Sequence, residues 1–532
     1  MTARPRVLLV YPRFTAESFW NYSATCELVG ARYPAIPLGL ITVAAMLPPS
    51  WPVRLVDRNT AELHDMDLAD ADLVMTGGMM FQQPDTLEII ALCRAKGTPV
   101  VVGGPDATSS PHIYRDADFL VLGEAEEVVK DFIAAWNAGG RGGVSQAEKY
   151  KVDVTRAPVP RYDLLDFDQY LFVGVQFSRG CPFTCEFCDI IELYGRVPRT
   201  KTTAQVLAEL DRLHDLGYRG HIDFVDDNFI GNKKALKAFL PELASWMKAH
   251  DYPFEFSTEA SINLGDDPKL LEMMRAANFF AVFVGIESPD SETLTATRKK
   301  QNTRRDIAAS IHAIYAAGMF VTAGFIVGFD SERGSVAEPM IALINEAAIP
   351  VSMVGLLAAL PNTQLTRRLQ QEGRLHSNHD VMQPGKIDVC TQGLNFETLR
   401  AREEIVRDYV NIVRWAYDPA AFAGRLDRLA DLLDRSGHRR ELPTGDRRAK
   451  FASLDMIHRI ISARPEAKEA FWRTFTRCVQ RNPLALRYIV MIMGMYLHLG
   501  PFARRLVADF DQHDASPRHC HVIGLVGGDL RP

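Results

Sequence analysis

Between Ser178 and Asp189 the chain reads SRGCPFTCEFCD, which places Cys181, Cys185 and Cys188 within eight residues. Thiolates so spaced, in a loop with Gly180 and Pro182, are a metal-ligand pattern rather than a core pattern. The set is one short. Structural zinc wants four closed ligands, and the nearest further donors in sequence are His214 and Cys390. A ferredoxin-type carrier likewise wants a fourth cysteine. The deficit is explained if the three thiolates hold three irons of a [4Fe–4S] cluster. The fourth iron is then open to an exogenous chelator, for which the amine and carboxylate of an amino acid would serve.

The elements that must position this motif form two α/β series. In the first, RVLLVYP (6–12), VRLVD (53–57), DLVMTGG (72–78), PVVVGGP (99–105) and DFLVLGE (118–124) are short apolar runs separated by helical stretches. Such runs predict a parallel sheet covered on both faces, a doubly wound domain over 1–140. Ligands of such sheets sit beyond the carboxyl ends of the strands. That edge carries Pro12, Asp57, Gly77, Gly78, Gly103, Gly104, Gly123 and Glu124. Residues 141–170, with GRGG and a proline-interrupted run, read as a linker.

The second series begins at 171 with LFVGVQFS and continues with HIDFVDD (221–227), FEFSTEA (254–260), FAVFVGIE (280–287), FVTAGFIVGF (320–329) and VSMVGLLAALP (351–361). Helical stretches fall between them. Six strand–helix repeats predict a (β/α)6 partial barrel over 171–395, with chemistry at the carboxyl ends of its strands. The cysteine motif follows the first of those strands. Residues 396–532 read as amphipathic helices and a polar tail.

Composition sets the outer limits. The 532 residues are 47% hydrophobic and 24% charged, with a net charge of −6. A chain of this length forms several soluble domains and needs no disulfide staples. The acidic balance argues against a nucleic-acid partner. The eight cysteines follow no secreted-scaffold pattern, which places the protein in the reducing cytoplasm. The apolar stretch Leu486–Gly500 is short for a membrane span and suits a buried helix or a peripheral membrane contact.

SRGCPFTCEFCD resembles the Cys-x-x-x-Cys-x-Φ-Cys signature of radical S-adenosylmethionine (SAM) enzymes, with Phe187 at the aromatic position. The order of doubly wound domain, linker and motif, with GGP (103–105) and LGEAEE (122–127), is similar to the cobalamin-binding (B12-dependent) radical SAM enzymes. FVDDNFIGN, STEASINL, FVGIESPD, GFIVGFDS and ALPNT resemble a subgroup with a helical C-terminal extension that includes the hopanoid C-2 methylase. The resemblance implies three cofactors: a [4Fe–4S] cluster on the cysteines, SAM on the open iron, and cobalamin on the N-terminal domain. It also implies a methyltransferase that acts on an unactivated carbon of a small, lipid-like substrate. An external one-electron donor of the flavodoxin or ferredoxin type is expected.

The same resemblance places the SAM amine near Asp226, Asp227 and Asn228. It places the ribose at Glu287, beside Ser288, with Glu259 as the other strand-end carboxylate, and the adenine at Gly328. A turn cap, an ion pair or a plain turn glycine is the structural alternative at each position. Arg298, Lys299 and Lys300 read as a solvated helix end. The Asp-x-His-x-x-Gly box of histidine-ligated cobalamin proteins is absent; only His64 and His112 lie in the first domain. The loop GGMMFQQPD is expected to meet the corrin through Met79, Met80 and Phe81, with Gln82 or Gln83 bonding its amides. Rearrangement or cyclisation and RNA modification are the alternative chemistries. Cys26 and Cys93 are too isolated for the second cluster of a methylthiotransferase.

Overall fold

The computed structural model describes residues 4–14, 18–382, 393–436 and 446–514. Six parallel strands form the N-terminal sheet: β1 (Val7–Tyr11), β2 (Val53–Asp57), β3 (Leu73–Gly77), β4 (Val100–Gly103), β5 (Phe119–Leu122) and β6 (Gly143–Gln146). Their order is β2-β1-β3-β4-β5-β6. Val7, Leu9, Met75 and Val121 bury one face beneath helices Leu38–Met46 and Ala125–Asn137. Leu8, Val10, Val74, Val102 and Leu120 bury the other beneath helix Gln83–Lys96. Burial on both faces explains why these strands read as unbroken apolar runs.

Two features depart from the expected boundaries. The stretch read as a linker supplies β6, paired with β5 from Phe119–Gly143 to Leu122–Gln146. An edge strand is held by backbone pairing and needs no apolar side chains, so its polar, glycine-rich sequence hid it. The chain between β1 and β2 also leaves the first sheet. Its helix Ser23–Val29 and strand Tyr33–Ala35 join the second unit, where the strand pairs with Tyr170–Phe172.

The second sheet contains the six expected strands: β7 (Tyr170–Val175), β8 (Gly220–Phe224), β9 (Phe254–Glu259), β10 (Phe279–Glu287), β11 (Phe320–Val327) and β12 (Val351–Leu356). All are parallel, in sequential order, with Tyr33–Ala35 added beside β7. Ile222, Phe224, Phe256, Val282, Val284, Val321 and Phe325 face the outer helices and are fully buried. The alternate residues face inward and are less covered: Asp223, Val225, Ser257, Glu259, Phe283 and Thr322. The curled sheet is therefore packed on its outside and hollow on its inside.

The C-terminal helices close this unit. Helix Arg402–Ala416 packs on β12, and helix Leu486–Asp514 packs on Ser23–Val29. Thr25 Oγ1 donates to the Gly494 carbonyl at 2.8 Å, and His498 lies between Ser23 and the Ser18 carbonyl. At the amino end of the barrel, Arg487 grips Glu255 and Tyr488 stacks on Phe280 at 5.6 Å. Burial opposes the Glu255 charge, but the Arg487 guanidinium overrides it and holds that carboxyl down at about 2. The last helix is long and apolar enough to cross a membrane, yet 72% of its most apolar window is buried inside the chain.

Candidate functional site

The cysteine loop leaves β7 through Ser178 and Arg179, which pair with Thr200 and Arg199. Two strand-end carboxylates staple it. Asp226 accepts from the Phe177 N–H at 3.0 Å and from both donors of Ser178. Asp227 accepts from the Gly180 N–H at 2.8 Å, where the left-handed φ of 95° suits only glycine. Burial pushes Asp226 up to about 7 and Asp227 up to about 6. Asp226 is thus spent on the backbone of the cluster loop rather than open to an ammonium.

The three sulfurs are desolvated. Burial pushes Cys181 up and Cys188 well above the usual thiol range. Thiolates there require a cation, and a metal centre supplies one. Among the described residues no three His, Cys, Asp or Glu side chains gather closely enough for a single ion. Ligands of one zinc would lie within roughly 4 Å of each other, given Zn–S near 2.3 Å. His214 is on a different surface, hydrogen-bonded to Arg219 and packed edge-on against His250. Cys390 lies outside the described residues.

Around the sulfurs stand polar groups: Asn228, expected near the SAM amine, and Gln301 and Lys299, which sequence reasoning did not place there. Asn228 Nδ2 reaches Cys181 Sγ at 3.8 Å, and Gln301 Nε2 reaches Cys185 Sγ at 3.5 Å. Lys299, expected to be solvated, is buried. Its Nζ lies 2.6 Å from Glu287 Oε1 and 5.9 Å from the Phe187 ring centre. The correction follows from the turn after helix Ser291–Ala296, which folds Lys299 inward and leaves Arg298 and Lys300 exposed. Glu287 has a left-handed φ of 68° beside an irregularity in the β10–β11 pairing. Strain at a polar strand end points to a functional demand. The buried Gln301 Oε1 and Asn302 Oδ1 have no partner among the described residues. Ser288 is buried, and its hydroxyl accepts from the Asp290 N–H at 3.1 Å.

Beside the motif's aromatic opens a cavity of about 420 Å³ walled by Phe187, Phe329 and Leu357 and rimmed by Arg298, Asp330 and Arg368. Phe187 and Phe329 pack against each other in its wall, with ring centres 5.6 Å apart. Gly328 does not offer open backbone there: a side chain on it would strike Leu394 and Ile405, so packing accounts for this glycine. Glu259 differs. It is open to small molecules yet enclosed by protein, because it faces the barrel interior; burial, then Asp223, Asp227 and Asp226, push it up to about 8.

The N-terminal edge contradicts several expectations. Gln82 is fully buried; its Nε2 donates to the Pro12 carbonyl at 2.6 Å and its Oε1 accepts from Met79 N–H at 3.0 Å. Gln83 is spent on Asp106, the Asp380 carbonyl and the Met382 N–H. Neither amide is free for a ligand. Glu124 is an interdomain tie, 3.1 Å from Arg179 and 2.8 Å from Arg199. Gly77 lies against the Gly103 carbonyl, Gly104 against Gly78, and Gly123 against Ala147, so close packing of backbone is one reason for all of them. Met79 remains half exposed at this edge.

Residues 175–343 match the radical SAM superfamily, and residues 363–512 match a domain of unknown function, DUF4070. The chain is 46% identical over 422 residues to an uncharacterized methyltransferase of Synechocystis sp., covering 79% of this chain and 77% of that one. It is 35% identical over 506 residues to the hopanoid C-2 methylase of Rhodopseudomonas palustris, covering 92% and 93%. The chain belongs to the cobalamin-dependent radical SAM enzymes. It stands with the methylases of that family. Its fold is similar to TsrM of Kitasatospora setae, solved with cobalamin and a [4Fe–4S] cluster (TM-score 0.58, 16% identity, 94% and 100% covered). It is similar also to OxsB, solved with aqua-cobalamin and SAM (TM-score 0.58, 15% identity, 97% and 82% covered). The radical SAM match spans β8 to β11 and the cysteine loop; DUF4070 supplies the helices that close the barrel.

Proposed function

We propose that this radical SAM methyltransferase methylates an unactivated carbon of a small, lipid-like substrate seated inside the barrel. One observation carries the reading: a hollow beneath the cysteine loop whose wall keeps apolar side chains uncovered. Val225 is 38% exposed and Trp20 is 36% exposed, although both lie within the fold. The hopanoid methylase relative supports a polycyclic or long-chain lipid as the substrate class.

Cys181, Cys185 and Cys188 would hold the cluster. Lys299 is placed to meet the SAM carboxylate, and Glu287, released from Lys299, the ribose hydroxyls. Phe187 and Phe329 would wall the adenine cavity. Asp227 or Glu259 would meet the SAM amine, while Asp226 keeps the loop in register. Gly77, Gly78, Gly103 and Gly104 make a close-packed edge with no side chains, against which a broad macrocycle can lie, and Met79 can cover its apolar face. When bound, these groups supply one-electron and methyl-transfer chemistry. The chain orients them and excludes water; transfer to carbon asks for no general base. The reading places the enzyme in a reducing cytoplasm, where an external one-electron donor would serve the cluster.

The test is anaerobic incubation of the reconstituted enzyme with methyl-labelled SAM, a reductant and a bacterial lipid extract. Label in a lipid product is expected. Cleavage of SAM with label recovered only in water-soluble products would overturn the lipid reading.

A further inference from the structure

Below Glu259, the inward faces of β8 and β9 carry a polar chain that the cofactors do not use. His221 Nε2 lies 2.6 Å from Ser257 Oγ, and Ser257 Oγ donates to Asp223 Oδ1. The pairing register places them in adjacent layers: His221 opposite Glu255, and Asp223 opposite Ser257. His221 is boxed between Phe172 at 5.0 Å and Phe280 at 4.9 Å. Burial lowers it to about 4, so the ring is neutral and its one N–H is available to Ser257. The chain of donors runs toward Asp223. Asp223 Oδ2 has no partner among the described residues, and the residue lies on the inward face of its strand.

Apart from that chain, Glu259 and Thr322, the side chains facing the hollow are apolar. Trp20 meets Phe283 edge-on at 5.6 Å, and Gly174 lies under Val225 and Leu38. A solid parallel barrel would fill these inward positions with branched side chains. Here glycine, serine and aspartate leave room. Burial pushes the Asp223 carboxyl up and the Ser257 hydroxyl bond opposes it; in its ionised form the carboxylate offers only acceptor capacity, and a buried acceptor left unpaired is costly.

We propose that Asp223, oriented by Ser257 and His221, is the specificity-determining residue that accepts a hydrogen bond from a donor group, a hydroxyl or an amine, on an otherwise apolar substrate. The assignment rests on the lumen being the substrate chamber, and it selects amphipathic substrates over bare hydrocarbons. A site built to bond a hydroxyl rejects the analogue that lacks it far more strongly than an apolar pocket can.

The test uses rigid probes with the cluster-loaded enzyme: 1-adamantanol, 1-adamantanamine, the methyl ether of the alcohol, and adamantane. Binding is read by tryptophan fluorescence, with Trp20→Phe as the control for the reporting ring. The alcohol or the amine is expected to bind at least about tenfold more tightly than the ether and the hydrocarbon. Asp223→Ala should erase that preference while the cluster absorbance stays. Ser257→Ala, which frees the carboxylate without removing it, should weaken the preference. Val225→Phe should exclude every probe. Affinity for both the alcohol and the amine no greater than for the ether, a preference that survives Asp223→Ala, or no binding of any probe would each overturn the assignment. Labelled methyl transfer is read separately, so failure of the methylase reading leaves a different signature.

Discussion

The two parallel sheets of this chain are built from similar strands and use their inner surfaces in opposite ways. The N-terminal sheet is buried on both faces, and the polar residues at its edge are spent on partners within the chain: Gln82 on Pro12 and Met79, Glu124 on Arg179 and Arg199 of the second unit. The barrel sheet is buried only on its outer face, and its inward polar residues face a hollow: Asp223, Ser257, Glu259. A carboxylate or amide at a strand end is therefore a weak sign of a ligand. A polar residue at every second position along an otherwise buried strand is a stronger one.

The largest effect should come from the barrel. Cys181→Ala, Cys185→Ala or Cys188→Ala is expected to abolish the broad absorbance near about 400 nm and all SAM cleavage, as thiolate ligation requires. Retained cleavage in any one of them would break the contrast at its root.

Next comes the buried pair. Lys299→Met leaves Glu287 unpaired and should cost roughly 3–5 kcal/mol in denaturant unfolding. Adding Glu287→Gln should restore most of that stability but not SAM affinity, measured by equilibrium dialysis. Recovery of SAM binding in the double variant would make the pair a structural feature only.

A smaller effect belongs to the N-terminal edge. Gln82→Ala strands the Pro12 carbonyl and the Met79 N–H, at about 1–3 kcal/mol, and should leave the cobalamin content per chain unchanged. Loss of cobalamin without loss of stability would restore Gln82 to the ligand site.

The last effect is a pH slope. Glu259 titrates at about 8 in the folded chain against 4.5 ordinarily. Folding then takes up a proton between those values, so stability falls as pH rises from about 4.5 to about 8 and is level above. Glu259→Gln should remove that slope and melt above the wild type, the gap widening with pH across the window. Parallel melting curves at pH about 5, 7 and 9 would contradict this environment for Glu259.

Much of this was legible in the residues. The barrel strands and the cysteine motif follow from apolar runs and spacing alone, and the helices fall where the runs leave room. Three things were not. Strand β6 has no apolar pattern because edge pairing is a backbone affair. Lys299 sits in a basic run that reads as solvated, and only the turn at Lys300–Asn302 shows that it faces the sulfurs. The chain His221–Ser257–Asp223 spans two strands, yet its signal is present in HIDFVDD and FEFSTEA, where polar residues alternate with buried ones. The SAM-side assignments came from family resemblance, and packing revises two of them, Asp226 and Gly328.

The most direct test of the central claim is stoichiometry. The protein would be purified anaerobically after expression with iron, sulfide and cobalamin supplied, and all three quantified per chain. About four irons and one cobalamin are expected for a cobalamin-dependent radical SAM methyltransferase. About four irons with no cobalamin would contradict it, and would make the N-terminal sheet a scaffold for the barrel.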